Sequence, residues 1–381
     1  MPYDPLVEDL ELSLIEADAN DAVRALLAHS DDPNTDVINM IAFPAAALVA
    51  EESFNYFGIR RRTTRLGSLD GELFKSFRHS LKKVRSRLKL FDDTDAGEEN
   101  LVSFMALVRK QSETLFAHPT SKILQFISRG FRPDLGAFFA GDHMVATSHA
   151  ALPALGFTPA SLKALRPGHF REFGKFIHGF SRSMGAHFAN LSQVLSLRGR
   201  ALNLKPEPVS IAVSLTRNDF VGDRFYRHVE RSFQEAQPDR VPALTLCLAQ
   251  VNAALHVLPT LMSVDSNLLR RVQFLAAHHG TKALQTTFGT LPPWLERDPT
   301  PILLSQQLRN IMAHYELRDA GHHALGSSTP LHAAIASSSC MSAEDVAVAT
   351  RERLLRISEF LDTGLSKSSL RSCRAALGEH T

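Results

Sequence analysis

The sequence predicts an all-α protein, in which a helical N-terminal region is followed by a C-terminal antiparallel helical bundle. Apolar residues recur at the three- and four-residue spacing of an amphipathic helix along much of the chain. After residue 209 the helical segments follow one another with mostly short connections, as in a bundle. The 381 residues are enough for roughly two or three domains, each with its own core.

The composition is that of an ordinary globular protein. Hydrophobic residues make up 44% and the formal net charge is +2, so the overall charge gives no argument for nucleic acid. Cys247, Cys340 and Cys373 are far apart, lack metal-ligand spacing and suit a reducing cytosol. The acidic N-terminus lacks the basic region of a signal peptide, and the apolar run at 40–50 is too short to cross a bilayer. We therefore expect a cytoplasmic protein that has no membrane partner.

The N-terminal region, residues 1–200, is predicted to be mostly helical, and its role is not indicated. Pro44 is expected to kink or split the second helix. The segment 135–152 contains glycines and fits either short strands or a loop. The predicted helices cover residues 6–29, 37–58, 71–90, 99–117, 119–129, 159–165 and 168–197.

Charge is distributed unevenly in this region. Residues 1–52 carry twelve acids and one base, whereas residues 60–89 carry eleven Lys or Arg against two acids. We call residues 60–89 the basic segment. One interpretation is that it contacts RNA phosphates. The alternatives are that it pairs with the acidic N-terminal helices or lies solvated on the surface. Its candidate RNA-binding residues are Arg78, Lys82, Lys83 and Arg85.

A linker is predicted at 198–209, where Pro206 and Pro208 cannot lie inside a helix. We expect the bundle domain over 209–368 and a tail over 369–381. Start signals for two of its helices are the run Asp298-Pro299-Thr300-Pro301 and the pair Ser342 with Asp345. The helices of the bundle are predicted at residues 215–236, 242–263, 266–288, 300–319 and 343–364.

The segment Leu303–Asp319, LLSQQLRNIMAHYELRD, gives the clearest indication of chemistry. As one helix it would place Arg309, Asn310 and His314 on the same side, with Asn310 and His314 one turn apart. That side can face a substrate, a partner or water. The opposite, core-facing stripe would consist of Leu304, Leu308, Ile311, Met312 and Tyr315, so Tyr315 is assigned to packing.

The spacing of Arg and His carries little weight by itself, because four Arg-x4-His pairs occur in the chain. The third has Asn directly after Arg, lies over an apolar stripe and follows a helix-start signal. The other three lack these features. The four pairs are Arg24/His29, Arg182/His187, Arg309/His314 and Arg318/His323.

The stretch LRNIMAHYELR resembles the signature of the HEPN superfamily, whose small helical-bundle domains carry Arg-x4-6-His, often with Asn after the Arg. The resemblance covers only the C-terminal part of the chain and not residues 1–200. It implies a metal-independent endoribonuclease that works as a homodimer in stress response or antiphage defence, with an antitoxin or defence-system protein as a further partner. Other members of the superfamily have lost catalysis and serve as binding modules, which leaves a protein- or RNA-binding role open.

These residue types suit RNA cleavage without a metal. RNA carries its own nucleophile, the 2′-OH, and an imidazole can take that proton or give one to the leaving oxygen. We assign His314 as general acid or base, Arg309 as phosphate clamp, and Asn310 as orienter of His314 or of a phosphate oxygen. Arg318 would add a phosphate contact or lie solvated. Cleavage would leave a 2′,3′-cyclic phosphate.

There are two alternatives to this chemistry. Arg309 and His314 could instead form a surface or interface pair that is hydrogen-bonded to neighbouring helices. A metal or other cofactor is not expected, because the adjacent pairs His278-His279 and His322-His323 lack a third ligand at a suitable spacing. The sequence also contains neither a nucleophile elbow nor a glycine-rich phosphate loop.

Overall fold

Helices dominate the part of the chain that the computed structural model describes, as the sequence predicted. Apart from Arg60, the basic segment lies outside this part, and so does Arg318. The predicted helices at 71–90, 99–117, 119–129 and 159–165 also fall outside it. The structure describes residues 5–27, 35–60, 133, 135–149, 170–206, 213–237, 240–263, 265–289, 292–296, 301–315, 317 and 329–373.

Three long helices come from the N-terminal region: α1 (Pro5–Leu26), α2 (Thr35–Arg60) and α3 (Phe170–Ser196). They agree with the apolar spacing of the sequence. Pro44 lies inside α2, and the helix continues past it, so it is not split there.

The C-terminal part contains shorter and longer helices in alternation. Ser342 caps the last long helix, because its Oγ accepts a hydrogen bond from the Asp345 backbone N–H at 3.0 Å. The elements are α4 (Gly222–Ser232), α5 (Val241–Asn252), a π-helix (Ala253–Val257), α6 (Leu258–Leu261), α7 (Asn267–Phe288), α8 (Pro293–Glu296), a 3-10 helix (Pro301–Leu304), α9 (Gln306–Ala313), α10 (Pro330–Ser339), α11 (Ala343–Leu365) and a second 3-10 helix (Ser369–Cys373). The helix α10 is not among those predicted.

A small antiparallel sheet departs from the expected helices. Its strands are β1 (Leu135–Ala140), β2 (His143–Thr147) and β3 (Leu215–Phe220), in the order β2-β1-β3. The sequence left open whether residues 135–152 form short strands or a loop. Strands form within this segment, at 135–140 and 143–147. The predicted helix at 215–236 is wrong over its first turns, since residues 215–220 pair with β1 along its whole length. Thr, Asn and Asp in this stretch are weak helix formers, and pairing with the buried strand β1 outweighs the apolar spacing.

The predicted helix at 300–319 is also wrong in its extent. Ser305 ends the 3-10 helix and caps α9, with its Oγ accepting from the Leu308 backbone N–H at 3.3 Å. At the other end His314 is extended, with φ −129° and ψ 159°. Because the cap separates Leu304 from α9, that side chain is 37% exposed and does not belong to the core stripe, whereas Leu303 is buried.

Two hydrophobic clusters meet along α7. The first joins α1, α2 and α3 to α7, α9 and α10, through residues such as Ile15, Ile38, Leu191 and Leu308. The second lies between the sheet and helices α4, α5, α7 and α11. Helices from both sides of the predicted linker thus share the first cluster. The division into 1–200 and 209–368 stays a prediction.

Two helical stretches are long and apolar enough to cross a membrane by length and composition, Asp36–Phe57 and Val241–Leu261. In the fold, 67% and 83% of their most apolar windows are buried against other parts of the protein. Such burial is typical of core helices.

A buried ion pair connects α1 to α7. The Arg271 guanidinium on α7 donates to the Asp18 carboxylate on α1, and the two side chains are only 2% and 0% exposed. Arg271 Nε also donates to the backbone oxygen of Met312 at 2.8 Å. This one side chain therefore links the N-terminal helix to the end of α9.

Replacing Arg271 tests that link. We expect Arg271→Met to lower the free energy of unfolding by about 3–5 kcal/mol, because the Asp18 carboxylate would remain buried without a counter-ion. Combining it with Asp18→Asn should recover part of the loss, since both charges are then removed. Urea denaturation at neutral pH measures each variant.

Arg270→Met is the matched control for this prediction. Arg270 contacts the carboxylates of Asp265 and Glu344 at 3.7 and 3.6 Å, and both of these are largely exposed. The Arg270 side chain is itself only 15% exposed, but its removal leaves no carboxylate buried without a counter-ion, so the loss should be about 1 kcal/mol or less. Equal losses of unfolding free energy in Arg271→Met and Arg270→Met would contradict the importance of the buried charge.

Candidate functional site

The three predicted catalytic residues lie at the end of α9. Arg309 and Asn310 belong to the helix, and His314 is the first residue after it. Asn310 is exposed, Arg309 is half-buried, and the His314 side chain is 39% exposed. The His314 backbone N–H donates to the Asn310 backbone oxygen at 3.0 Å, which keeps the two residues together although the helix has ended.

Glu52 on α2 holds the His314 ring. The distance between His314 Nδ1 and Glu52 Oε2 is 2.7 Å, and the Glu52 side chain is only 4% exposed. With Nδ1–H donating to the carboxylate, the neutral ring presents the lone pair of Nε2 on its other edge. Among the described residues, no hydrogen-bond partner lies at Nε2. The arrangement is that of a carboxylate-oriented general base.

The Asn310 amide positions a guanidinium rather than the imidazole ring. Its Oδ1 atom accepts from Arg309 Nη1 at 3.1 Å and from Gln306 Nε2 at 3.1 Å. The contact limits the freedom of the long Arg309 side chain next to the helix end. Of the two roles predicted for Asn310, the orientation of the His314 ring is performed in the structure by Glu52.

The residues that flank His314 are anchored in the protein interior. The Tyr315 hydroxyl donates to Asp18 Oδ2 at 3.0 Å, and the Arg271 guanidinium lies 4.4 Å from the centre of the Tyr315 ring. The Leu317 backbone N–H donates to the buried Glu11 carboxylate at 2.9 Å. Tyr315 thus packs in the core, as predicted, and also makes a polar contact that the sequence did not indicate.

Beneath the site, burial and neighbouring charges shift the pKa values of the buried groups in opposite directions. Burial raises the pKa of Asp18, and the nearby Arg271 cation lowers it in part. Burial alone would lower the pKa of Arg271, but the charges of Asp18, Tyr315 and Glu52 raise it overall. A permanent cation therefore lies close to both buried carboxylates, Asp18 and Glu52.

Glu52 is a candidate functional residue that the sequence did not indicate. A usable signal was present: Glu51 and Glu52 directly follow the apolar run at 40–50, and both are buried. Acidic residues are almost never fully buried without a partner, so this pair pointed to a partner elsewhere in the chain. The identity of this partner could not be read from the sequence, because Glu52 and His314 are 262 residues apart.

A second carboxylate–imidazole pair provides a comparison. His143 Nδ1 lies 2.8 Å from Asp362 Oδ2, and the His143 side chain is 41% exposed. Its ring stacks on His256 at 4.2 Å. Burial, together with the neighbouring charges of His143 and Arg351, lowers the pKa of His256 to about 4. None of the predicted site residues belongs to this pair.

No arrangement for a metal ion is present in the part of the chain described above: His, Cys, Asp and Glu side chains do not gather there in groups of three or more that could hold one. His278 and His279 are both buried on α7, where His278 Nδ1 contacts the Leu303 backbone oxygen at 2.8 Å. These neighbours are core histidines.

Comparison with known proteins gives no relative for the chain: no family model, curated protein or solved structure matches it. The site is therefore interpreted from its geometry.

The buried Tyr315 hydroxyl should make stability fall at alkaline pH. Burial and the Asp18 charge raise the pKa of Tyr315 well above its ordinary value of 10.0. The folded chain thus keeps a proton that the unfolded chain releases, so this contribution is complete below pH 10 and is lost as the pH rises toward the folded-state pKa. In urea denaturation, the wild type should lose stability above that pH more steeply than Tyr315→Phe. Parallel losses would contradict the assignment.

Proposed function

We propose that the protein is a metal-independent endoribonuclease of the HEPN type, acting in the cytoplasm in stress response or antiphage defence. The observation that carries the proposal is the hydrogen bond between Glu52 and the Nδ1–H of His314. It fixes the ring at a partly exposed helix end that also carries Arg309. The sequence LRNIMAHYELR supplies the link to the HEPN superfamily.

The proposed reaction uses the nucleophile of the RNA itself. Nε2 of His314 takes the proton of a 2′-OH, and the 2′-oxygen attacks the adjacent phosphorus as the bond to the 5′-oxygen breaks. Glu52 stabilises the imidazolium that forms. Arg309 binds the phosphate oxygens and the negative charge that develops on them. The products are a 2′,3′-cyclic phosphate and a 5′-OH end.

A proton must also reach the leaving 5′-oxygen. We propose that the chain works as a homodimer and that His314 of a second copy, in its protonated form, donates that proton. This division of roles follows the arrangement implied by the HEPN resemblance, in which motifs from two copies face one cleft. An antitoxin or another defence protein would then control the activity.

One observation favours the alternative, a non-catalytic protein- or RNA-binding module. Arg309 and His314 both have partners within the chain, Asn310 and Glu52, as purely structural residues would. In that case the basic segment, residues 60–89, would be the contact surface. The two proposals differ in whether RNA is cut.

RNA cleavage in EDTA distinguishes them. We expect the wild type to cut single-stranded RNA and to leave 2′,3′-cyclic ends, detected by mass spectrometry, while a 2′-deoxy substrate stays intact. His314→Ala and Arg309→Ala should each reduce the rate by about 100-fold or more. His143→Ala is the matched control, since His143 has the same exposure and the same kind of carboxylate partner. Equal cleavage by all four proteins would remove the motif from the mechanism.

The role of Glu52 can be tested separately. Glu52→Gln should reduce cleavage on the order of 100-fold, because an amide can hold the wrong tautomer and cannot stabilise an imidazolium. Glu51→Gln alters the neighbouring buried carboxylate and should leave the rate close to that of the wild type. A larger loss in Glu51→Gln than in Glu52→Gln would contradict the proposed orientation of His314.

A further inference from the structure

A cavity of about 600 Å³ lies between α1, α2 and α3. Its volume is within the range of small-molecule sites in proteins. The walls are apolar and include Met40, Phe43, Met184 and Phe188. Methionine and phenylalanine together make an adaptable surface for an apolar or aromatic group. None of the residues assigned to RNA cleavage lines this cavity.

The mouth of the cavity is apolar and open. Leu27 and Leu204 line it and are 52% and 37% exposed, which is unusual for large aliphatic side chains that adjoin a cavity. Exposed apolar surface around a concave site is typical of ligand-binding surfaces.

Two polar groups of the cavity, Asn39 Oδ1 and the Asp36 carboxylate, can accept hydrogen bonds, and Ser181 also lines it. Asn39 Oδ1 is buried and has no hydrogen-bond partner, although a buried acceptor is normally satisfied. Asp36 lies exposed at the start of α2, and its carboxylate makes no ion pair with any described residue. Both groups suit a ligand that donates hydrogen bonds, and Asp36 favours a positively charged one.

The charge at the cavity itself favours the same ligand. Asp36 is the charged residue among those that line the cavity, whereas acids of α1 are paired with arginines, as Asp18 is with Arg271. A cavity with apolar walls and one carboxylate attracts cations and repels anions.

We propose that this cavity binds an organic amine with an apolar body. The apolar part occupies the space between Phe43, Met184 and Phe188, and the ammonium group donates to Asn39 Oδ1 and the Asp36 carboxylate. Such binding is independent of the proposed nuclease activity and assigns a ligand to the N-terminal region, whose role the sequence does not indicate.

The glycines of α3 allow the cavity to be filled without a clash. Gly185 lines it, and a Cβ atom added there would meet no atom within 4 Å. Gly179 lies on the same helix, away from the cavity, and has the same open surroundings. Gly185→Phe is therefore a blocking variant, and Gly179→Phe is its matched control. Circular dichroism confirms that both remain folded.

Three probes with one apolar body and different charges test the proposal by isothermal titration calorimetry on the full chain. Phenylbutylamine should bind about tenfold or more tightly than phenylbutyrate, with the neutral phenylbutanol between them. Asp36→Asn should reduce the affinity for the amine to that for the alcohol. Gly185→Phe should abolish binding of the amine, and Gly179→Phe should leave it unchanged.

Three results would overturn the proposal. The first is binding of phenylbutyrate that is as tight as that of phenylbutylamine or tighter, which would show that the cavity does not select for a cation. The second is unchanged binding of the amine to Gly185→Phe, which would place the amine elsewhere. The third is no binding of any probe to the wild type.

Discussion

Arg271 carries a permanent charge into the interior of the fold, where Asp18, the Tyr315 ring and the backbone oxygen of Met312 surround it. A buried guanidinium is costly unless each of its neighbours compensates for the lost water. Arg271 lies on α7 and its partners come from α1 and the end of α9, so these three elements must assemble together for any one contact to be favourable. The position of His314, between Met312 and Tyr315, follows from this constraint.

The candidate site consequently depends on the N-terminal region as well as on the bundle. The sequence predicted all three candidate catalytic residues on one helix, but the ring of His314 is held by Glu52, from α2. The helix α2 also lines the proposed amine-binding cavity through Asn39 and Phe43. The helix α2 thus lines the proposed amine-binding cavity and also carries Glu52, the carboxylate that orients the proposed catalytic base.

Periodicity predicted the long helices well, because α1, α7 and α11 have regular apolar stripes and, in two cases, a serine cap that the sequence displays. Periodicity failed where a helix cap or pairing with a distant strand, rather than the spacing of apolar residues, determines the local structure. Ser305 separates α9 from the turn before it, and residues 215–220 exchange helical hydrogen bonds for pairing with β1. The Arg-Asn-x-x-x-His motif predicted the candidate site, which stays a prediction, whereas Glu52 could not be found from spacing because its partner is distant in sequence.

We infer from the hydrogen bond to Glu52 that this carboxylate fixes the tautomer of His314, and nitrogen NMR of histidine-labelled protein shows which ring nitrogen carries the proton. Neutral imidazole in water prefers the proton on Nε2, whereas hydrogen bonding to Glu52 requires it on Nδ1. We expect neutral His314 to be protonated at Nδ1, with Nε2 as the free acceptor, and Glu52→Leu to abolish this preference. A His314 ring protonated at Nε2 in the wild type would rule out this role of Glu52.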